Sequence, residues 1–417
     1  MSRLVIEGGA PVCGSIAVHG AKNAVLPILA ASILCDDGVN VIHNCPDLRD
    51  VNITIEILRY LGVKVTRMGN TLTIDARKRL GCHIPEHLMQ QLRSSIIFMG
   101  AIVARNHKAK ISMPGGCELG PRPIDLHNKA LAELGCTIKE KKGYLFVRAR
   151  KLKSKTLTLS FPSVGATENT MLAACLTPGV TVLENAAKEP EIVDLANFLN
   201  AMGASICGAG TSTITIHGVT RLHAADYTVM PDRIAAITYL CCAAVTGGNI
   251  TLHNTVPEHL ETALSELAKC GCRVEAQNHT VRLVAPPRLM AIENITTAPY
   301  PGFPTDAQSL FLAMLTLADG TSSICERIFK SRFKVAEELQ KMGASIAVQA
   351  DHAMISGVSS LKGAQVSACD LRGGAALVIA ALAAKGTTEI DNIHFIDRGY
   401  DNLVANLNHL GANVKRI

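Results

Sequence analysis

The chain has 417 residues, of which 48% are hydrophobic and 18% charged. That is enough for two or three domains with full cores, and it excludes a disordered or disulfide-stapled chain. The longest apolar runs, 239–245 and 375–384, stay below the ~18 residues a membrane span needs, and a net charge of +6 with Lys and Arg spread along the chain argues against nucleic acid and for small anionic substrates.

Taken in order, the first nine residues hold one Arg and no apolar core of signal-peptide length, so a cytoplasmic protein is expected. Residues 4–7 and 15–19 read as strands. An apolar helix built from small residues follows at 23–34, and the pattern recurs at 94–104, 166–176, 233–245, 306–317 and 373–384. The 6 Tyr and 9 Phe without any Trp leave an aliphatic core, which suits helices enclosed by sheets. Between these helices the order is strand, more polar helix, glycine turn and two alternating strands, such as 71–74, 144–147, 213–216 and 280–283.

The glycine turns set the period. Gly62, Gly135, Gly203, Gly271, Gly343 and Gly411 stand 68 to 73 residues apart, each between the end of a polar helix and a short alternating run. A helix closed by a glycine in the left-handed region accounts for each. The polar residues before the apolar helices, Lys22, Arg93, Ser163, Asp232, Thr305 and Arg372, repeat at 67 to 73 residues, which gives six units of about 70 residues. The last unit is short at the C-terminus, and residues 1–21 restore its length. The expected division is therefore a domain of 22–229 and a second of 230–417 closed by the strands of 1–21.

Helix starts carry unpaired N–H groups and partial positive charge, so they favour anions. Ser163, Asp232 and Thr305 suit ordinary caps. Lys22, Arg93 and Arg372 are cations where the helix dipole disfavours them, and a bound anion resolves that conflict. The Gly/Pro-rich segment Pro114-Gly115-Gly116-Cys117-Glu118-Leu119-Gly120-Pro121-Arg122-Pro123 reads as a lid, with Cys117 beside Arg122 able to act as acid or nucleophile. The other cysteines sit in apolar contexts, as at Cys175, Cys241, Cys242 and Cys325. Cys270-Gly271-Cys272 has the wrong spacing for zinc, so no metal is expected.

Gly20-Ala21-Lys22-Asn23-Ala24 with Leu26-Pro27, the loop from Pro114 through Arg122-Pro123-Ile124-Asp125-Leu126-His127, Ser163-Val164-Gly165-Ala166-Thr167 and Pro231-Asp232-Arg233 form one ordered set. It continues with Tyr300-Pro301-Gly302-Phe303-Pro304-Thr305-Asp306, Asp370-Leu371-Arg372 and Ile396-Asp397-Arg398-Gly399-Tyr400. Together they resemble the family of UDP-N-acetylglucosamine 1-carboxyvinyltransferases, from about residue 3 to 417. The resemblance implies an α/β fold: a two-domain inside-out α/β barrel of six repeated units, three per domain, with sheets around buried helices.

It also implies transfer of the enolpyruvyl group of phosphoenolpyruvate to the 3′-hydroxyl of UDP-N-acetylglucosamine, the first committed step of peptidoglycan synthesis, without a cofactor. On the matching positions Cys117 is the proton donor and Asp306 the base, Lys22, Arg122 and Arg398 hold phosphoenolpyruvate, and Arg93 and Arg372 add positive charge, with Asn23 near the reacting groups. Arg122, Pro123, Ile124, Asp125 and Leu126, with Ser163, Val164 and Gly165, are assigned to the uridine diphosphate, and Asp306 and Ile328 to the sugar nucleotide. The resemblance further implies that Cys117 makes the protein a target of fosfomycin. Phe161 departs from the pattern, since some members carry Lys there. Arg332 suits an inner site or a surface cation equally. The sister enzyme that makes 5-enolpyruvylshikimate 3-phosphate is the nearest rival, and the Pro-Gly-Gly-Cys loop argues against it. A non-catalytic UDP-sugar-binding paralogue is disfavoured by the presence of Lys22, Cys117, Asp306 and Arg398.

Overall fold

The computed structural model describes residues 2–115 and 124–417, so Cys117, Arg122 and Pro123 lie outside the described residues. The chain forms two compact units, one of residues 2–19 and 231–417, the other of 20–115 and 124–230. Each has its own hydrophobic core and three four-stranded sheets.

One local plan recurs. In the sheet at 156–218, strand Thr156–Thr158 leads into the apolar helix Val164–Ala174, then strand Gly179–Glu184 lies parallel to the first. The polar helix Pro190–Ala201 follows, then strands Ser205–Cys207 and Thr213–Gly218. The last strand pairs antiparallel with both of its neighbours and lies between them. Alternate strand residues face the apolar helix, which is why the strands read as period two.

The six glycine turns are one structure. Gly62, Gly135, Gly203, Gly271, Gly343 and Gly411 all have φ between 89° and 94°. In each, the glycine N–H and the next N–H reach back into the last helical turn, as Gly62 N–H to Arg59 O and Val63 N–H to Leu58 O. This caps orphan carbonyls and sends the chain straight into a strand.

The apolar helices are Lys22–Ala31, Phe98–Asn106 and Val164–Ala174 in one unit, and Arg233–Val245, Thr305–Leu315 and Leu371–Ala383 in the other. Almost every residue in them is buried, which explains the small side chains. Where helices Phe98–Asn106 and Val164–Ala174 meet, a Cβ on Gly100 would stand 2.4 Å from the backbone oxygen of Asn169. Only glycine fits there.

Two expectations need adjustment. The helix read from residue 94 begins as a 3-10 turn, Arg93–Ile97, and becomes α-helical at Phe98. Ser95 turns its hydroxyl onto the Leu92 carbonyl, a local bond that competes with α-helical pairing. Of the two N-terminal strands, Leu4–Glu7 completes the sixth repeat between Thr387–Asp391 and Asn413–Arg416. The second, Cys13–Ala17, instead pairs parallel with Asn249–His253. In the same way Asp226–Thr228, which precedes helix Arg233–Val245 in the chain, pairs with Val39–His43, so the two leading strands are exchanged between repeats. Each unit holds three separate four-stranded sheets and three buried helices, as the expected inside-out α/β fold has them.

A Cβ at Gly343 has no heavy atom within 4 Å, so replacement there tests the backbone alone. Gly343→Ala should lower stability by about 1 kcal/mol, read as a lower urea midpoint with unchanged slope.

Candidate active site

In the unit of 20–230, Lys22 occupies the first turn of its helix, where Ala21 offers no side-chain cap. Its Nζ lies 2.7 Å from Asp50 Oδ2, a fully buried carboxylate in the first turn of helix Arg49–Tyr60. The conflict of a cation at a helix start is thus met within the chain by a carboxylate. Asn23 follows, half-buried. Arg93 donates at 3.4 Å to the carbonyl of Pro114, the first residue of the expected lid.

Ser163 caps helix Val164–Ala174, its Oγ accepting from Ala166 N–H. Val164 and Gly165 are half-buried. A Cβ on Gly165 would meet the His127 ring at 2.8 Å, so this glycine lets the imidazole lie against the helix start. His127 comes from helix Asp125–Glu133, which opens directly after Ile124 and contains Asp125 and Leu126.

The His127 tautomer follows from its neighbour. Asn169 Oδ1 accepts from the Gly100 N–H at 2.7 Å, and its Nδ2 donates to the Ile96 carbonyl. That orientation leaves the second Nδ2 hydrogen for His127 Nδ1 at 2.8 Å. Nδ1 is therefore the acceptor and Nε2 carries the proton. Burial, with the Arg93 charge added, pushes the imidazole down to about 4 against the pull of Asp125. His127 is a neutral donor.

In the other unit, Asp306 lies in the first turn of helix Thr305–Leu315, gripped on both oxygens. Arg332 pairs with Oδ1 and also donates to the Thr305 carbonyl. Arg372 donates through Nε and Nη2 to Oδ2 at 3.2 and 3.0 Å. Both guanidiniums are only 2% exposed, so Arg332 is no surface cation. Burial opposes the Arg372 charge, yet Asp306, with Tyr400 and Asp232, more than restores it. Two permanent cations favour the ionised form of Asp306.

Asp370 and Asp232 cap their helices through paired N–H bonds. Glu326 accepts from Thr305 Oγ1 and from the Ile328 and Phe329 N–H groups. Ile328 is thereby tied to the turn that carries Asp306. Arg398 ends the turn Ile393–Arg398, half-buried.

Two residues beyond Arg398, Tyr400 joins three elements. Thr238 donates its own hydroxyl hydrogen to Ile234 O at 2.8 Å, so it accepts from Tyr400 Oη at 2.9 Å. Tyr400 Oη in turn accepts from Arg372 Nη1 at 3.3 Å. Every hydrogen in this chain has one direction, and its end is the guanidinium on Asp306.

Comparison with known proteins supplies the family. The family model for EPSP synthase (3-phosphoshikimate 1-carboxyvinyltransferase) matches residues 6–407. UDP-N-acetylglucosamine 1-carboxyvinyltransferase 2 of Caldanaerobacter subterraneus subsp. tengcongensis is 52% identical over 417 residues, all of both chains. The UDP-N-acetylglucosamine 1-carboxyvinyltransferase of Geobacter metallireducens is 46% identical, again over all of both chains. The chain belongs to the UDP-N-acetylglucosamine 1-carboxyvinyltransferase family. Among solved structures, the enolpyruvyl transferase NikO from Streptomyces tendae is 27% identical with a TM-score of 0.89, covering 100% of this chain and 98% of that one. EPSP synthase from Acinetobacter baumannii, 18% identical and with a TM-score of 0.77 over 100% of both chains, shares the fold.

For a member of this enolpyruvyl transferase family, the described residues divide clearly. Arg93 and His127 stand with the Ser163–Gly165 start, while Asp306, Arg332, Arg372, Tyr400 and Asp232 form one network. Asp50, Asn169 and Glu326 escaped the sequence reading. Each is buried, yet each has polar neighbours in the sequence, so no local signal marked it. Cys270 and Cys272 are pushed by burial up to about 12 and about 11, which keeps them as protonated core thiols.

Two tests follow. Tyr400→Phe leaves a buried guanidinium hydrogen without an acceptor, so stability should drop by about 2 kcal/mol and kcat about tenfold with KM nearly unchanged, measured by denaturation and steady-state kinetics. The unfolded chain binds more protons at His127 than the folded chain between about pH 4 and its ordinary 6.5. Stability therefore rises with pH across that window and is complete above it. His127→Gln should flatten that rise in unfolding measured from pH 4 to 7.

Proposed function

We propose that this protein transfers the enolpyruvyl group of phosphoenolpyruvate to the 3′-hydroxyl of UDP-N-acetylglucosamine, releasing phosphate, as the first committed step of peptidoglycan synthesis in the cytoplasm. The observation that carries the reading is identity of 46 to 52% over whole chains to relatives that bear this name. No helix among the described residues is long and apolar enough to cross a membrane.

The chemistry is an addition followed by an elimination. Cys117 gives its proton to C3 of phosphoenolpyruvate, C2 becomes electrophilic, and the sugar 3′-oxygen bonds to it while its proton passes to Asp306. In the elimination the Cys117 thiolate takes back a C3 proton while the C2–O bond to phosphate breaks and the phosphate leaves with the proton held by Asp306, which restores the double bond in the product and both side chains. Each step needs positioned proton carriers and cations for charge that develops on phosphate and carboxylate. No cofactor enters this balance.

Asp306 suits the hydroxyl because both of its oxygens are fixed by guanidiniums, so its orientation is set before substrate arrives. Arg398 and Lys22 bind the phosphoenolpyruvate anion with Arg122, Arg93 and Arg372 add positive charge, and Asn23 lies near the reacting groups. The helix starts at Ser163–Gly165 and Asp125, with Ile124, Leu126 and Pro123, receive the uridine diphosphate, and the neutral His127 adds an Nε2–H beside Gly165. Ile328 contacts the sugar nucleotide from the loop that Glu326 ties down.

The deciding experiment is phosphate release from phosphoenolpyruvate with purified protein, offered UDP-N-acetylglucosamine or shikimate 3-phosphate. Turnover is expected with the nucleotide sugar alone and should fall at least 100-fold in Cys117→Ser. In the same assay, fosfomycin should inhibit the wild type and add its mass to it, while leaving Cys117→Ser unlabelled. Turnover with shikimate 3-phosphate would overturn the acceptor, and none with either would overturn catalysis.

A further inference from the structure

The sheet of strands His83–Ile84, Lys108–Ser112, Tyr144–Arg148 and Thr137–Lys141, in that order, presents an unusual outer face. Residues 137–155 hold eight Lys and Arg against one acid, Glu140, a net of +7 where the whole chain has +6. The rest of the chain is on balance slightly acidic. Three of these eight cations, Lys139, Lys141 and Arg148, lie in the strands of this one sheet.

Register fixes which residues share the face. His83, Lys110, Phe146 and Lys139 lie in one cross-strand row, Tyr144 and Lys141 in the next, and Lys108 and Arg148 in a third. Their neighbours Ala109, Ile111, Leu145 and Val147 point into the core. The outer face thus has five cations, two aromatic rings on a central strand and no carboxylate. Elsewhere, the sheets containing Asp75, Glu275 and Glu389 mix signs, and those containing Glu184 and His352 have no outward Lys or Arg.

This arrangement is poor for stability alone. Lys108 stands directly opposite Arg148, and like charges in that position destabilise a sheet. Lys110 lies 4.6 Å from the Tyr144 ring centre and 5.7 Å from that of Phe146, which shows that cation and rings share one surface. The His83 ring is 5.8 Å from Tyr144 and 6.2 Å from Tyr60, itself 50% exposed, so the aromatic surface extends past the sheet edge.

The order Lys142-Gly143-Tyr144-Leu145-Phe146-Val147 follows the basic-Gly-aromatic-x-Phe-Val order that RNA-binding sheets place on a central strand. Leu145 departs from the small residue usual there, and Ala149 from a third aromatic. Leu145 faces the core in this fold, so its size does not touch the outer surface. We propose that this face binds single-stranded nucleic acid, with bases stacked on Tyr144 and Phe146 and phosphates held by Lys108, Lys110, Lys139, Lys141 and Arg148. Alternating rings and cations match the alternation of bases and phosphates in a single strand, whereas an anionic bilayer calls only for charge.

The test is fluorescence anisotropy with labelled oligouridylate and oligoadenylate of about 12 nucleotides, using the full chain at low salt. Binding is expected to weaken with salt at a logarithmic slope of about −3.5, from about −0.7 for each of five phosphates. Tyr144→Ala should weaken binding about tenfold and Tyr144→Phe should restore it. Lys139→Glu with Lys141→Glu, on the exposed edge strand, should weaken binding at least tenfold while leaving phosphate release intact, which also reports folding. The proposal is overturned by absence of binding at low salt, by equal binding of a duplex together with indifference to Tyr144→Ala, or by binding only to phosphatidylglycerol vesicles that the oligonucleotides do not displace.

Discussion

A helix with no side turned to water must satisfy its first turn from within the protein. The helices Lys22–Ala31, Thr305–Leu315 and Leu371–Ala383 are in that position, and their flanks are packed into apolar cores. Most of their charged groups stand at the start, where N–H groups and the helix dipole call for acceptors and negative charge. Caps such as Asp370 and Asp232 answer the call directly. Lys22 and Arg372 run against it, and the fold supports them with the buried carboxylate of Asp50 and the half-buried one of Asp306.

That compensation has a chemical result. A cation balanced by one buried carboxylate costs less to hold in the interior than an isolated charge. Asp306 shows the reverse case. Its two oxygens are shared between two guanidiniums that are themselves fixed, Arg332 on the Thr305 carbonyl and Arg372 on Tyr400. The carboxylate is therefore an oriented acceptor, and its setting comes from three separate chain segments.

How much of this the sequence discloses depends on distance along the chain. The six glycine turns and the apolar helices were legible because each is decided within about a dozen residues by a φ that only glycine tolerates, or by an unbroken run of small side chains. The pairing of Cys13–Ala17 with Asn249–His253 was not, since parallel pairing leaves no local trace and Leu4–Glu7 nearby goes to another sheet. The site divides likewise. Lys22, Ser163, Asp306 and Arg372 announce themselves at helix starts, whereas the partners Asp50 and Tyr400 are set by tertiary packing, and Arg332 looks like any surface cation until its burial is seen.

The same reasoning explains why one outer sheet face can differ from the other five. Inward strand positions are fixed by the core, because a change of size there is felt by a close-packed helix. Outward positions are bound by no such demand, and a period of two lets them vary without disturbing their neighbours. A row such as Lys110, Phe146 and Lys139 joins one hairpin to a strand some thirty residues earlier, so the register and not the sequence shows that its members share a face. The repeat that builds the catalytic scaffold thus also provides six independent outer surfaces, and a charge imbalance confined to one of them reflects a demand that the core does not make.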